Sequence, residues 1–314
     1  MIFTVTLNPS LDKTLQVQKL QPGRIHRARL VRSDLGGKGI NVSRALQALG
    51  INSRIVGFAG GGTGQVLQSG LREVGFDPHL VKVAGETRQN ITLFDQDESR
   101  YTKINELGPL VCAEDVAALH KVVADLAAPG DGWAFCGSLP PGAPEMLYAD
   151  LIRLVQGRGA RALLDASGPA LREGIAVPPF ALKLNDEEAG ELLGVSLTCQ
   201  EEVCRAARRL QAGGSQLVVL TRGEKGLILA WQDEIVVALP PAVAARSPVG
   251  AGDATLAGIF WSLVDRVGPV EMARRAAACG AAAAMQEGTG VGTRALVETL
   301  LEQGQVVDST RRFV

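Results

Sequence analysis

The sequence predicts an α/β protein: a three-layer α/β/α core on a mostly parallel sheet, with a small β-sheet lid. Two observations carry this. Short apolar, β-branched runs alternate with helix-length amphipathic segments along most of the 314 residues, the pattern of parallel strands joined by crossover helices. Residues 11–34 and 86–105 instead alternate polar with apolar positions between turn signals. Each therefore has one wet and one dry face and reads as antiparallel strands outside the core.

In chain order, the core strands are expected at IFTVTL (2–7), RIVGF (54–58), GWAFC (132–136), RALLD (161–165), FALKL (180–184) and QLVVLT (216–221). Helices are expected near 41–49, 63–74, 114–127, 144–157, 186–193 and 200–212. Residues 252–286 follow as two long small-residue helices expected to cap the far end of the sheet. No repeat, low-complexity tract or linker divides the chain, so residues 1–314 are expected to form one domain that includes the lid.

Composition narrows the function. With 46% hydrophobic and 21% charged residues and a formal charge of -1, the chain is too apolar for disorder and lacks the like-charge blocks that track nucleic acid or an anionic membrane. Met1 opens directly into IFTVTLNPS, without the basic leader of a signal peptide, and no apolar run is long enough to span a bilayer. Five cysteines without CxxC spacing and only three histidines argue against a disulfide framework or zinc centre, so a reduced, cytoplasmic protein is expected.

The chemistry concentrates in two stretches. In SPVGAGDATLAGIF (247–260), Gly250, Ala251 and Gly252 stand at the mouth of an apolar helix. Unpartnered N–H groups and a partial positive charge there attract an anion, and small residues let it approach. Asp253, in the first turn, is placed to take a proton from an attacking hydroxyl; the plainer reading is a helix cap. At DLGGKGINVSRALQALG (34–50), a glycine loop with Lys38 and Asn41 as donors runs into an amphipathic helix. Lys38 is followed by Gly39, so this is no Walker A loop, and a structural helix entry with a solvated lysine is the alternative.

Together these stretches resemble the ribokinase, or PfkB, family of sugar kinases. Gly36-Gly37-Lys38-Gly39-Ile40-Asn41 matches its amino-terminal signature and Gly250-Ala251-Gly252-Asp253 its carboxy-terminal one. NPSLD (8–12), TRQN (87–90), GSLPPG (137–142), DASG (165–168), NDEE (185–188) and TRGEKG (221–226) agree in order, so the likeness spans the chain. TLNPSLD, GGKGINVSRAL and GETRQN resemble the phosphosugar branch.

The resemblance implies a ribokinase-like fold, ATP and Mg2+ as cosubstrate and cofactor, and phosphorylation of a ketohexose phosphate. Fructose 1-phosphate, phosphorylated at O6, is the first expectation; tagatose 6-phosphate and fructose 6-phosphate are the alternatives, and a nonenzymatic sensor is a third. It implies that Asp253 is the base, with the amides of Gly250, Ala251 and Gly252 as anion hole. Asp12, Gly36, Gly37, Asn41 and Ser138 would contact sugar, though Asp12 and Ser138 also suit turns. Arg24, Lys38 and Arg88 would hold its phosphate, with Arg88 the foremost because its planar fork matches phosphate oxygens. His26 and Arg27 suit a solvated lid face equally, and Asn90 alternates with Arg88 toward the same site. Asn185 and Glu188 would help hold magnesium, although Asp186 to Glu188 also favour a helix start. Thr221, Gly223, Lys225 and Gly226 would meet the nucleotide, and a homodimer through the lid is expected.

Overall fold

The structure is a computed structural model that describes residues 1–309. From the first strand, β1 (Ile2–Thr6), the chain passes into the lid as β2 (Ser10–Val17) and β3 (Arg29–Gly36). It returns to the core through α1 (Lys38–Ala48), β4 (Ser53–Gly60), α2 (Gly61–Glu73) and β5 (Asp77–Val83), then revisits the lid as β6 (Arg88–Asp95) and β7 (Arg100–Asn105). Next come α3 (Ala113–Leu126), β8 (Gly132–Cys136), α4 (Leu147–Gly157), β9 (Arg161–Asp165), α5 (Gly168–Gly174), β10 (Ala181–Asn185), α6 (Asp186–Leu193), α7 (Gln200–Ala212) and β11 (Leu217–Thr221). After a 3-10 turn at Gly223–Lys225 follow β12 (Leu227–Trp231), β13 (Glu234–Leu239), α8 (Ala251–Asp265), α9 (Pro269–Ala284), α10 (Arg294–Gln303) and β14 (Gln305–Ser309).

Ten strands form one sheet in the order β14-β13-β12-β11-β10-β9-β8-β1-β4-β5. From β5 to β11 neighbours are parallel; β11 through β14 pair antiparallel. The parallel strands are nearly continuous apolar runs because helices cover both faces. On one face α3, α4, α5, α6 and α7 enclose a core that includes Phe3 stacked on Trp133 at 4.2 Å between ring centroids. On the other, α1, α8 and α9 cover the sheet, with α2 packed over Ile55 near its edge. The three-layer expectation therefore holds.

Three sequence expectations change. The small-residue helices α8 and α9 do not cap an end of the sheet; they lie flat on one face, where α8 packs against α1 and α9 against β12 and β13. Their small residues permit close contact: a Cβ on Gly258 would stand 2.8 Å from the Cα of Ala276. In the lid, ordered β3-β2-β6-β7, the central pair is parallel, from Ser10 opposite Arg88 to Val17 opposite Asp95. The reason is topological. β2 leaves the carboxyl end of β1 and β6 leaves the carboxyl end of β5, and those core strands run the same way. Finally, β5, β12, β13, β14, α5 and α10 add to the elements expected.

Candidate active site

The site assembles where side-chain alternation and helix ends coincide. Along parallel strands, residues two apart share a face, and Thr6, Cys136 and Asp165 are register partners at the carboxyl ends of β1, β8 and β9. Leu182 pairs with Leu164, so the next position brings Lys183 beside Asp165. The amino ends of α1 and α8 open onto these strand ends. Open α/β sheets bind ligands at the carboxyl ends of their strands.

Four charged groups meet there. Lys38 Nζ, at the start of α1, donates to Asp165 Oδ1 at 2.8 Å, and Lys183 Nζ donates to Asp165 Oδ2 at 2.9 Å. Asp165 is fully buried, and Lys183 and Asp253 are each 6% exposed. Asn41 Nδ2 donates to Asp253 Oδ2 at 2.8 Å. Gly250 caps α8 in the left-handed region at φ 82, where a side chain would be strained. A Cβ on Gly252 would come within 2.7 Å of Lys183 Nζ, so glycine lets the ammonium lie against the start of the helix.

The electrostatics follow from the grouping. Burial, joined by the negative charge of Asp165, pushes Asp253 up to about 6; Lys183, the Asn41 hydrogen bond and Lys38 oppose the rise without cancelling it. Burial would raise Asp165 as well, but the ammonium groups of Lys183 and Lys38 overcome it and hold that carboxyl below its ordinary value. Lys38 is raised, chiefly by Asp165 and against its own burial. Two carboxylates in one pocket are thus driven apart: one is fixed as an anion, and the other can exchange a proton near neutrality.

A polar shelf on the lid faces this cluster. Ser10 Oγ and Asn90 Nδ2 donate to Asp12 Oδ1 at 2.7 and 2.8 Å. Gly36 lies against them, since a Cβ there would meet Ser10 Oγ at 2.6 Å and Asp12 more closely still. Gly37 continues into α1. Arg88 donates through Nε to the carbonyl of Asn8 at 3.1 Å and through Nη1 to that of Glu106 at 3.3 Å. Burial lowers its pKa while Asp12 works to raise it. Ser138 is reached by Asn8 Nδ2 at 3.5 Å. Thr6 Oγ1, Asn8 Oδ1, Asn41 Oδ1 and Asn90 Oδ1 are buried without a hydrogen-bond partner. Each such atom costs about 1–3 kcal/mol; Asn41 and Asn90 also donate to Asp253 and Asp12, so their unpaired oxygens lie beside those two acids.

Other residues expected in the site stand farther out. Asn185 and Glu188 satisfy each other in a capping box: Asn185 Oδ1 accepts from the Glu188 amide at 2.7 Å, and Glu188 Oε2 accepts from the Asn185 amide at 2.9 Å. Glu188 nevertheless helps raise Lys38, so its charge is felt in the cluster. Thr221 pairs with Asn185 across β10 and β11 and donates through Oγ1 to the Leu184 carbonyl at 3.3 Å. Gly223 and Lys225 lie on the exposed turn that follows, and Gly226 closes it, buried against Ala238 of β13. Arg24 lies on the exposed loop beyond Val17, at the opposite end of β2 from Asp12, and its amide bonds only to the Gln21 carbonyl. Five residues of strand rise to about 17 Å, so within one chain Arg24 does not join the shelf. His26 folds back on Gln21 in the same loop.

Sequence reasoning did not assign roles to Asp165 or Lys183. Signals existed: a lysine interrupting the apolar strand ALKLN and an aspartate closing RALLD at a strand's carboxyl end. Two cavities of about 260 and 400 Å³ lie at the other, amino-terminal ends of the strands, around Met1, Arg161 and Phe180. Neither touches the charged cluster at the strands' carboxyl ends.

A family model described as pfkB family carbohydrate kinase matches residues 5–295. A 1-phosphofructokinase of Xanthomonas campestris is 38% identical over 279 residues, covering 88% of each chain. A tagatose-6-phosphate kinase of Staphylococcus epidermidis is 29% identical, covering 98% of this chain and 100% of that one. The tetrameric inhibited form of phosphofructokinase-2 from Escherichia coli superposes with a TM-score of 0.90 at 28% identity, covering 96% of this chain and 98% of that one.

The charge arrangement predicts opposite stability effects for the two aspartates. Asp165→Asn strands two ammonium groups and should destabilise the fold by about 3–5 kcal/mol. Asp253→Asn removes a carboxylate whose ionisation the pocket disfavours, so at pH 8 it should be neutral or stabilising. Urea unfolding of both variants reads this, and equal losses would contradict the charge assignment.

Proposed function

Since the chain belongs to the pfkB family of carbohydrate kinases, we propose that it transfers the γ-phosphoryl group of ATP to O6 of fructose 1-phosphate, giving fructose 1,6-bisphosphate and ADP. The observation that carries the reading is Asp253: a buried carboxyl, pushed up to about 6, in the first turn of a helix whose amide end is lined by Gly250, Ala251 and Gly252. Near neutral pH it is ionised yet basic enough to accept a hydroxyl proton. The hydroxyl oxygen forms a bond to the γ-phosphorus as the bond to the ADP oxygen breaks, and its proton passes to Asp253. The amides of Gly250 to Asp253 and the Lys38 and Lys183 ammonium groups stabilise the charge on the phosphoryl oxygens.

Asp12 and Asn90, with Gly36, Gly37 and Asn41, would hold sugar hydroxyls, and Ser138 lies at the rim. Arg88, partly buried against carbonyl groups, is the foremost group for the phosphate already on the sugar, and Lys38 supports it. Asn185, Thr221, Gly223, Lys225 and Gly226 line the side where the nucleotide would lie. Among the described residues no group of three His, Cys, Asp or Glu side chains could cage a metal. A single carboxylate such as Glu188, which accepts the Asn185 amide through Oε2, is the kind of donor that suits magnesium, ordinarily held by one or two carboxylates together with phosphates and water. Glu188, with Asn185, would hold it, and the ion would neutralise phosphate charge.

Fructose 1-phosphate is preferred to tagatose 6-phosphate or fructose 6-phosphate because the 1-phosphofructokinase relative is the more similar, 38% against 29% identical. No described helix is long and apolar enough to cross a membrane, and we place the reaction in the cytoplasm. Exposed Ile25, Leu30, Tyr101 and Ile104 on the lid suit burial against a second copy. In such a homodimer the loop tip bearing Arg24 would serve the phosphate site from the partner.

ADP release should be most efficient with fructose 1-phosphate among the three sugar phosphates and unphosphorylated sugars, and kcat/KM should fall as pH drops through about 6, where Asp253 of the free enzyme takes up its proton. Asp253→Asn should lower kcat by roughly 10²–10⁴-fold with ATP binding retained; normal turnover would refute the base assignment. For the lid, Ile104→Lys should shift sedimentation from dimer to monomer, and a wild-type monomer would remove the dimer from the account.

A further inference from the structure

One residue of the lid reaches across the sequence to the core. Arg32, in β3, donates through Nη1 to the carbonyl of Glu287 at 2.9 Å, 255 positions away. It also pairs with Asp34 on its own strand. The next residue, Gly288, is in the left-handed region at φ 61, and the Arg32 guanidinium fills the space where a Cβ would stand. Only glycine combines that backbone with so close an approach.

Gly288 in turn touches the turn that sets the amino end of α8. Its carbonyl accepts from Ser247 Oγ at 3.1 Å, and the same hydroxyl oxygen accepts from the Val249 amide at 3.2 Å. Val249 precedes Gly250, the cap of α8. On the far side Arg44, from α1, donates to Thr289 Oγ1 at 3.1 Å. The 287–289 turn is thus gripped by the lid, by α1 and by the residues that orient the amides of Gly250 to Asp253. The contacts thus run from the lid through the guanidinium to two successive residues of this turn, and through one hydroxyl to the Val249 amide, next to those of Gly250 to Asp253.

Building on the kinase reading, we propose that Arg32 is a positioning residue for phosphoryl transfer: through Glu287, Gly288 and Ser247 it fixes the helix-end amides of α8 in register with the lid that holds the sugar. It touches neither reacting group. Its contribution lies in keeping the two halves of the site at one spacing, and errors of about 1 Å in such spacing cost on the order of 10²-fold in rate.

The test is a double-mutant cycle in the full chain with Arg32→Met, which keeps the stem, Ser247→Ala, and both together. Each single variant should lower kcat by about tenfold while the sugar-phosphate KM changes less than about threefold. The double variant should be no worse than the poorer single one, because both break the same link. Multiplicative losses, or a loss confined to KM as for a direct phosphate ligand, would overturn the proposal. Hydrogen exchange without ligands provides a readout independent of activity. Arg32→Met should speed exchange of the amides of residues 249–253 several-fold while core-strand amides keep their protection, and unchanged rates at 249–253 would equally overturn it. If the wild-type chain phosphorylates no ketohexose phosphate, the functional reading fails and the exchange result still decides the link.

Discussion

A buried aspartate between two lysines is the constraint on which the site depends. Asp165 has no access to water, and an isolated carboxylate in such a place would be too costly to remain ionised. Lys38 and Lys183 make it tolerable, and in doing so they are themselves fixed, Lys183 against the start of α8. The arrangement has a secondary effect on Asp253. Burial, reinforced by a neighbouring anion that cannot neutralise itself by taking a proton, keeps the second carboxyl more basic than usual, the property a proton acceptor needs near neutrality. The ammonium groups that offset the two acids also face the place where phosphate would gather.

The fold supplies this cluster by geometry that no single segment contains. Parallel pairing brings the ends of β8, β9 and β10 level, pleating turns Cys136, Asp165 and Lys183 to one face, and α1 and α8 lie on that face with their amino ends over the strand ends. Small residues along α8 and α9 hold the layer thin. The lid attaches at the carboxyl ends of β1 and β5, so its polar shelf around Asp12 and Asn90 belongs to the same end of the sheet as the charges. Arg32 closes the circuit, returning from the lid to the turn behind α8.

Much of this was legible in the sequence where function needs unusual backbone. The glycines before Asp253 and Asn41 mark turns that ordinary side chains would obstruct, and polar–apolar alternation disclosed the lid strands. Asp165 and Lys183 were harder, because a charged residue at a strand end usually faces solvent; only the register of three parallel strands shows them paired. The parallel centre of the lid was hidden for the same reason: alternation reports a wet and a dry face and says nothing of strand direction. The hairpin between β12 and β13 lacks the usual glycine signal, since Gln232 adopts the positive φ of 54 itself. Arg24 was expected at the sugar's phosphate as a cation of the lid, yet its loop lies beyond Val17, at the far end of β2 from Asp12, a separation that composition does not encode.

Direct titration of Asp253 tests the central claim most closely. In the wild-type chain, carboxyl carbon NMR, with the signal assigned by its loss in Asp253→Asn, should show a midpoint near the pH of about 6 that burial and Asp165 impose. A midpoint in the ordinary range near 4 would mean that the pocket does not hold this carboxyl as a base, and the chemistry assigned to it would have no foundation.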